Sequence, residues 1–529
     1  MEIPNEAVLS QPPTDMQIRE RQSLLVAVNC LLIAIIGNFL FYDQRWGINM
    51  GIYTTLLVVV GVAMLIAFEA ARYWKHLIFG LPAAVFAFFL AVRSAETLAL
   101  MNLALAVGSL FVFIRFGRIK WFLGGGVVYS IMASIESFMT GWIEGPMMLI
   151  GNSVGYFNHL HVNSAEMVRT KAVLRGLILA LPILIVFGIL LGSADVVFGD
   201  LLEGAFGWLS PDADLVVQLL LIAFLMWANL SMLRLLIFGP PFLEKAVADP
   251  KFNVGRLGMI ETSILLGSIN LLFLVFVILQ ARYLFGGDSN ISVQGYTYAE
   301  YARRGFYEML AVSIMTTGLI GLLEWTTHRQ PNEEKLFRLL TTVLIVLTGV
   351  ILVAAWRRLA LYEDAYGYTQ LRFVSAVFMG WLGVLLVVLL ADVLLHRRLV
   401  VFFVGALVCL FGYVGTLNAL NMDRFIARHN VERFDETGKI DVPYLLSLSD
   451  DAIPAIVPLI DAPDLEEQDR QTLLTGLANR LEVLDRDHAE RKGADYHWGK
   501  DQAWQALDKY RDELTPYMGR YPAGDSEFG

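Results

Sequence analysis

Cysteine is almost absent from this chain of 529 residues, and so are the short motifs of enzyme active sites. Only Cys30 and Cys409 occur, both within apolar stretches and without a CxxC or CxxH neighbour. This argues against a disulfide framework and a cysteine-based metal site, and both residues are expected to be small core residues. The sequence also lacks GxxxxGK[ST] and HExxH patterns. We therefore expect no cofactor, no metal and no catalytic residue, and we predict a protein that is not an enzyme.

Charge is also scarce, and its sign is unevenly placed. Charged residues are 17% of the chain, and the formal net charge is -10. Residues 1–421 hold 27 basic and 27 acidic residues, whereas residues 422–529 hold 13 basic and 23 acidic residues. The acidic character therefore belongs to the C-terminal tail, which argues against nucleic acid and anionic lipid as its partners.

Apolar residues are the most abundant class in the chain. Hydrophobic residues make up 56% of the chain and the mean hydropathy is +0.58, values that exclude a soluble globular protein of this length. A helix needs about 20 apolar residues to cross the hydrocarbon of a bilayer. Stretches of about this length predict spans at 22–42, 50–69, 77–93, 97–115, 119–140, 176–195, 215–236, 258–281, 306–326, 337–356, 372–395 and 399–421.

The fold class follows from these stretches, because only a helical bundle lets such a chain satisfy its backbone hydrogen bonds in lipid. We predict an all-α, polytopic transmembrane bundle of about 11–13 spans with a small C-terminal helical domain outside the membrane. The least certain part is 119–157, where three glycines and Pro146 interrupt the apolar pattern. That segment is compatible with one span, two short spans or a re-entrant hairpin.

Short basic loops predict the orientation. Six clusters of basic residues fall on one side of the membrane if 119–172 crosses it an even number of times, and we assign that side to the cytoplasm. The loop 195–214 holds five acidic residues and neither lysine nor arginine, as expected outside. Arg303-Arg304 and Arg357-Arg358 are exceptions that fall outside. The predicted membrane protein then has a cytoplasmic N-terminus, an extracytoplasmic tail and 11 or 13 crossings.

The predicted domains follow the same pattern. Residues 1–21 form a disordered cytoplasmic N-terminus, 22–172 an N-terminal and 173–421 a C-terminal transmembrane region, 422–518 an acidic helical extracytoplasmic domain, and 519–529 a disordered tail. Within the acidic domain, 442–461 and 469–488 are amphipathic at helical spacing, and a third helix is predicted from 500 to 514. Ser449-Asp450-Asp451 predicts a helix N-cap.

Several stretches carry a family resemblance. They are VLRGLILALPILIVFGILLGSADVVF (173–198), ETSILLGSINLLFLVFVILQARYLFGG (261–287), YTYAEYARRGFYEMLAV (296–312), YGYTQLRFVSAVFMGWL (366–382) and NMDRFIARHNVERFDETGKIDVPYLLSLSDDAIPAI (421–456). They resemble a bacterial family of multi-pass membrane proteins of the DUF4173 or DUF4153 type, known only as a domain of unknown function. The resemblance implies a membrane location and supplies no catalytic residue.

Ionisable and strongly polar residues near the span ends are the candidate functional residues, since charge within a bilayer is costly. Glu261, Glu324 and Asp392 are predicted near the cytoplasmic surface, paired with Arg234, Arg338 or Arg397. Asp195, Gln280, Glu308 and Arg357 are predicted near the outer surface. Arg304 is predicted between Glu300 and Glu308 on an interfacial helix. These candidates are Asp195, Glu261, Gln280, Arg304, Glu308, Glu324, Arg357 and Asp392.

Interhelical pairing explains such residues as well as a binding site does, so the function stays open. We favour a non-enzymatic protein of the bacterial cytoplasmic membrane that binds, senses or scaffolds. A transporter or channel for a small or lipid-like substrate is the first alternative, and an enzyme acting on lipid-linked substrates is the second. Expected partners are membrane lipids and, through the acidic tail, another membrane or extracytoplasmic protein.

Overall fold

The structure, a computed structural model, describes residues 15–68, 73–115, 213–238, 257–285, 306–327, 329–395 and 400–519. Their secondary structure is helical, with one isolated bridge between Leu257 and Thr327 and no strand in these ranges. Before the tail, the described residues form ten helices, namely α1 Asp15–Phe41, α2 Ile48–Ala67, α3 Tyr73–Phe89, α4 Glu96–Arg115, α5 Ala213–Phe238, α6 Met259–Phe285, α7 Phe306–Thr326, α8 Glu334–Tyr366, α9 Gln370–Leu395 and α10 Val400–Leu420.

The predicted membrane fold is confirmed by the length and apolarity of these helices. Among the described residues, eight helices are long and apolar enough to cross a bilayer, namely α1, α2 and α4 to α9. The apolar part of α3 is shorter, and α10 passes the same test only together with the helix that follows it after a 51° bend. Ten of the twelve predicted spans thus coincide with a helix, while 119–140 and 176–195 lie outside the described residues.

Helix α8 is much longer than the span predicted at 337–356. It has 33 residues, so at 1.5 Å per residue it is about 50 Å long, well beyond the hydrocarbon thickness. Its last turns contain the buried residues Leu359 and Glu363, and Gly367 ends it with a positive φ of 78°. Tertiary packing therefore continues the helix past the point where the apolar run ends.

The described chain divides into two compact units. Unit 1 comprises 1–45, 53–81 and 110–248, and unit 2 comprises 46–52, 82–109 and 249–529. In unit 1, polar side chains join the helices. Asn38 Nδ2 donates to Gln218 Oε1 at 3.1 Å, and the Tyr53 hydroxyl donates to Asn229 Oδ1 at 3.0 Å. Such bonds between spans are worth about 0.6 to 2 kcal/mol each.

Unit 2 has an apolar core built from α6, α7, α8 and α9. Leu266, Ile320, Leu344 and Leu389 are members of this core, and each is almost fully buried. One face of α6 stays exposed, including Ile264 at 65% and Leu271 at 64%. A helix that spans a membrane presents such a face to lipid.

The tail, 422–519, is a group of helices that pack around a second core of unit 2. They are α11 Met422–Thr437, α12 Val442–Ser447, α13 Ile453–Ile456, α14 Glu467–Ala489, α15 Trp498–Asp508 and α16 Arg511–Leu514, with 3₁₀ turns at Asp450–Ala452, Val457–Asp461 and Thr515–Tyr517. Their core contains Leu445, Leu477 and Leu507 together with Leu98 of α4 and Leu417 of α10. The tail and the ends of these membrane helices therefore share one hydrophobic core.

The stretch 442–461, which is amphipathic at helical spacing, is not one continuous helix. The chain leaves the helix at Leu448, which is extended, and continues as two 3₁₀ turns and one turn of α-helix. Ser449 does precede a helical turn, but its side chain makes no capping hydrogen bond. Pro454 and Pro458 remove backbone donors, and the adjacent carboxylates Asp450 and Asp451 bond to other elements instead.

Candidate functional site at the ends of the membrane helices

The tail completes the hydrogen bonding of several membrane helix ends. The first N–H groups of a helix have no partner within it. At the start of α2, the Ile48 amide donates to the Tyr496 carbonyl at 3.0 Å, and the Asn49 amide donates to the Ala494 carbonyl at 3.0 Å. Close approach is possible because Gly47 has no side chain, and a Cβ there would lie 2.6 Å from the Tyr496 oxygen.

The same segment of the tail serves the end of α3, whose final carbonyls lack partners within the helix. The Trp498 amide donates to the Ala91 carbonyl at 2.6 Å, two residues beyond the last residue of α3. Residues 494–498 therefore supply two acceptors to one helix start and a donor to the chain leaving another. We call residues 494–498 the capping segment.

Asp451 makes the equivalent contact before α4. One of its carboxylate oxygens accepts from the Ser94 amide at 2.8 Å, and its own amide donates to the Ser94 hydroxyl at 2.9 Å. The carboxylate is thus held beside Ser94, two residues before Glu96, the first residue of α4. The helix dipole favours negative charge at this end of a helix. Burial nevertheless raises the pKa of Asp451 to about 6, although the Ser94 amide and Arg93 act in the opposite direction.

Arg93 lies beside Asp451 and is itself 8% exposed. Its Nε donates to the Asn418 carbonyl at 2.8 Å, near the end of α10, and its guanidinium lies 5.9 Å from the Trp498 ring centroid. Burial lowers the pKa of Arg93, which the nearby Asp451 carboxylate partly offsets. Its Nη1 is buried and has no hydrogen-bond partner among the described residues. The arginine thus links the loop after α3 to α10 and to the tail.

His497 is buried between the same loop and the start of α15. Its Nδ1 accepts from the Lys500 amide at 3.3 Å, so the imidazole caps α15. Burial lowers the pKa of His497 to about 4, and the charge of Lys500 acts in the same direction. The neighbouring Gly499 leaves room for the Asp451 carboxylate, which a Cβ at that position would overlap. His497 is therefore neutral at physiological pH.

The contacts between the tail and the ends of the membrane helices together form what we call the junction. A second part of it lies at the turn between α8 and α9. Asn430 of α11 accepts from the Tyr368 amide at 2.8 Å and donates to the Tyr368 carbonyl at 2.9 Å. The Gln370 amide at the start of α9 donates to the Tyr444 hydroxyl at 2.9 Å. At the end of α8, Arg433 donates to the Ala365 carbonyl at 2.8 Å. Side chains of the tail thus satisfy both ends of this turn.

Asp423 joins this turn to the tail, and an asparagine pair joins α4 to α10. The Asp423 carboxylate accepts from Gln370 Nε2 at 2.8 Å and from the Ser449 amide at 3.0 Å. Asn102 and Asn418, both fully buried, exchange hydrogen bonds of 3.0 and 2.8 Å. All of these groups bond to other protein groups, so the arrangement holds helix ends together.

The predicted candidate residues that the structure describes take no part in the contacts named above. Glu261, Glu308 and Arg357 are exposed, and Asp392 is buried. Gln280 of α6 accepts from Arg358 of α8 at 3.0 Å. Asp195 and Arg304 lie outside the described residues.

Glu324 has a partner that the sequence did not indicate. It forms a bidentate pair with Arg329, with N–O distances of 2.7 and 2.8 Å. Arg329 also lies 3.2 Å from Glu334, which in turn is 3.9 Å from Arg338. Arg329 pairs with Glu324 because it lies only five residues further along the chain, in the connection from α7 to α8. The two side chains therefore do not have to extend from one helix to another.

No group of three or more histidine, cysteine or acidic residues that is able to hold a metal ion occurs among the described residues. Cys30 and Cys409 are free and buried, as expected. The sequence reasoning missed Arg93, Ser94, His497 and the capping segment. The available signals were the polar interruption between two apolar stretches at 92–96 and the unusual SLSDDA sequence at 447–452, which had been interpreted as a local cap.

The fold and this junction define a class, that of polytopic α-helical membrane proteins with a docked helical tail. More specifically, the chain belongs to the family described as Domain of unknown function (DUF4153), whose model matches residues 80–459. The match covers the junction residues of the α3–α4 and α8–α9 loops and α11, and it ends before the capping segment. No curated protein and no solved structure matches the chain.

Proposed function

We propose that this integral membrane protein is a non-enzymatic scaffold of the bacterial cytoplasmic membrane, which holds its acidic C-terminal helices in a fixed position outside the cytoplasm. The observation that carries the proposal is the capping of membrane helix ends by the tail. Contacts at α2, α3, α4, α8 and α9 restrict the tail in several places at once. A tail that served as a flexible tether would not need them.

The polar residues within the spans support this proposal. The hydroxyls of Ser313, Thr317 and Thr348 donate to carbonyls one turn earlier in their own helices, at 2.7 to 2.8 Å. Asn270 of α6 donates to the Leu340 carbonyl of α8 at 2.9 Å. The hydroxyls are thus satisfied within their own helices and Asn270 joins two helices, whereas proton-coupled carriers place ionisable groups at depth.

The extracytoplasmic position of the tail is supported by the connections it contacts. The α1–α2, α3–α4 and α8–α9 connections all bond to the tail, so they lie on the same side of the membrane. The basic-loop rule had assigned each of them to the outside. A tail with an excess of acidic residues on that side fits a partner protein with a basic surface rather than a nucleic acid.

Two measurements test the proposal. First, complexes extracted from native membranes in mild detergent are compared between the wild type and a variant with Asp464→Asn, Glu466→Gln and Glu467→Gln, three exposed positions in the tail. We expect the variant to lose mass from a specific complex. A control variant with Gln468→Ala and Thr472→Ala, which changes exposed neutral residues nearby, should retain it.

Second, the protein is reconstituted in vesicles that contain a pH-sensitive dye, and a proton gradient is imposed. We expect no flux above that of protein-free vesicles. A proton flux that is lost in Glu261→Gln or Asp392→Asn, with folding intact, would contradict the scaffold and favour the transporter. An unchanged complex after removal of the three carboxylates would contradict the assigned role of the acidic surface.

A further inference from the structure

Two tryptophans lie at the junction and remain exposed although the residues around them are bonded. Trp46, in the connection between α1 and α2, is 61% exposed, and Trp498, in the capping segment, is 38% exposed. The side chain of tryptophan is large and apolar, so exposing it to water is unfavourable by about 25 cal/mol for each Å². In the described part of 422–519, Val483 is the other large apolar residue with comparable exposure.

The backbone contacts fix both indoles near the ends of membrane helices. Trp46 lies two residues before Ile48, whose amide is bonded to the capping segment, and the Trp498 amide is itself bonded to Ala91. Neither position depends on the tryptophan side chain. The local backbone thus presents both indoles at the level where α2 begins and α3 has just ended.

The flanking helix surfaces show where the hydrocarbon begins. Ile52 on α2 is 39% exposed and Val85 on α3 is 42% exposed. Each lies one turn within its helix, about 6 Å along the axis from the terminal residue. Apolar side chains exposed at that depth face lipid tails, so the tryptophans lie one step further out, beside the headgroups and glycerol.

Tryptophan is enriched at this level of membranes because its ring is amphipathic, with an apolar body and an N–H donor. A positive charge also lies nearby, since the Arg93 guanidinium is 5.9 Å from the Trp498 ring. We propose that Trp46 and Trp498 form a joint anchor in the interfacial layer of the leaflet on the tail side, so that this part of the junction binds the lipid surface.

The consequence is that the capping segment is held from two directions. Its backbone bonds to protein, and its indole inserts beside the lipid headgroups. A second copy of the chain or another protein covering the same indoles is the competing explanation, and the experiment is designed to separate these from lipid.

The test places one fluorophore at a time by cysteine substitution and thiol labelling in Trp46→Cys, Trp498→Cys, Ile52→Cys and Val483→Cys. The native Cys30 and Cys409 are 0% and 5% exposed, and unsubstituted protein controls for their labelling. Each variant is reconstituted at high lipid excess in phosphatidylcholine vesicles brominated either near the headgroup or deep in the acyl chain.

We expect probes at 46 and 498 to be quenched several-fold more strongly by the shallow bromines than by the deep ones. The probe at 52 should respond to deeper bromines, and the probe at 483 should respond to neither. Probes at 46 and 498 that behave like the one at 483, while the probe at 52 is quenched, would overturn the proposal. Shielding that appears only at high protein density would also overturn it, in favour of contact between copies.

Intrinsic fluorescence keeps the proposal falsifiable if a cysteine variant does not fold. The emission of Trp46→Phe and Trp498→Phe is subtracted from that of the wild type, which isolates each indole. Each difference spectrum should be quenched by the shallow bromines. A difference spectrum that is unaffected by brominated lipid and is quenched by aqueous iodide would contradict the anchor.

Discussion

Ser94 and Asp451 bind each other in both directions, the Ser94 amide donating to the Asp451 carboxylate at 2.8 Å and the Asp451 amide donating to the Ser94 hydroxyl at 2.9 Å. Reciprocal bonds of this kind fix orientation as well as distance, because both residues must face each other. Asp451 is 4% exposed, so water does not replace either partner without opening the junction. The stability that is lost when either residue is replaced therefore measures how much this pair contributes to the docking of the tail.

Removing the hydroxyl is the first prediction. Ser94→Ala leaves the buried Asp451 amide without its acceptor, and a buried unsatisfied donor costs about 1 to 3 kcal/mol. We expect a lower melting temperature of the purified protein in detergent. Ser447→Ala is the matched control, because its hydroxyl donates to the Tyr444 carbonyl at an exposed position. Equal melting temperatures for both variants would mean that the Ser94 contact does not hold the tail.

The second prediction concerns the space beside Asp451. Gly499→Ala places a Cβ against the Asp451 carboxylate and 3.0 Å from the Val92 carbonyl, so the start of α15 must move. Overpacking of this kind costs about 1 to 3 kcal/mol. Gly415→Ala in α10 is the control, since nothing lies within 4 Å of its Cβ. We expect it to be neutral or stabilising, and a Gly499 variant as stable as this control would contradict the packing described.

The third prediction is a hidden pH dependence. Burial raises the pKa of Asp451 to about 6, so the folded protein holds a proton that the unfolded chain releases above its ordinary value near 4. This contribution makes stability fall as the pH rises from about 4 to 6. Arg93 and Asp423 are the charged groups that act on Asp451.

His497 has the opposite sign over nearly the same interval. Its pKa is lowered to about 4, so the unfolded chain binds a proton that the folded protein excludes, and stability rises with pH from about 4 to 6.5. Lys500 and Arg491 act on it in the same direction as burial. Each contribution approaches 1.4 kcal/mol for each pH unit, and in the wild type the two largely cancel.

Single substitutions separate the two opposite dependences of stability on pH. Asp451→Asn should become more stable from pH 4.5 to 6 relative to its own value at pH 4.5, and His497→Gln should become less stable over that interval. Thermal unfolding in detergent at matched ionic strength measures both. Parallel pH profiles of the wild type and the two variants would rule out titration of these residues within the junction.

The fourth prediction concerns the connection between α7 and α8. Arg329→Gln removes the bidentate pair with Glu324 and the contact with Glu334, leaving a largely buried Glu324 carboxylate uncompensated, so a loss of about 1 to 3 kcal/mol is expected. Arg428→Gln is the control, because its pair with Glu432 is equally short at 2.8 Å but largely exposed. Exposed pairs contribute at most about 1 kcal/mol. A larger effect at Arg428 than at Arg329 would contradict this ranking.

The fifth prediction is the orientation. A reporter that is active only in the cytoplasm, fused after Asp435 within α11, should give no signal, because the tail and the three connections it contacts are assigned to the outside. A fusion after Arg329, in a connection assigned to the cytoplasm, is the positive control. Strong activity of the Asp435 fusion would reverse the assigned orientation.

The sequence predicted the membrane helices well because each records its own environment over about 20 consecutive residues. The end of α8 was missed because charged residues and tyrosines interrupt the apolar pattern in its last ten residues, where Tyr362 and Ala365 contact Arg372 of α9 and Arg433 of α11. At Leu448, the cap at Ser449-Asp450-Asp451 was predicted, but the partners of the two carboxylates were not. Helical periodicity continues through 449–456, but Asp450 and Asp451 find better partners in Arg480 and Ser94.

The junction itself was not predictable from local pattern. Arg93 and Ser94 lie in a loop of only six residues between two apolar helices, and nothing there indicates a partner near residue 451 or 497. Ionisable residues at span ends were predicted to be functional because a charge near lipid is energetically unfavourable. The structure brings together a different set, in which neutral backbone groups at helix ends are satisfied by the tail.

The separation of these partners in the chain has a consequence for biosynthesis. Ser94 and Asp451 are 357 residues apart. At about 5 to 20 residues per second, some 20 to 70 s pass between the emergence of the two from the ribosome. The first helices therefore enter the membrane with incomplete ends, and residues translated much later close them. A chain truncated before residue 451 would keep those ends open.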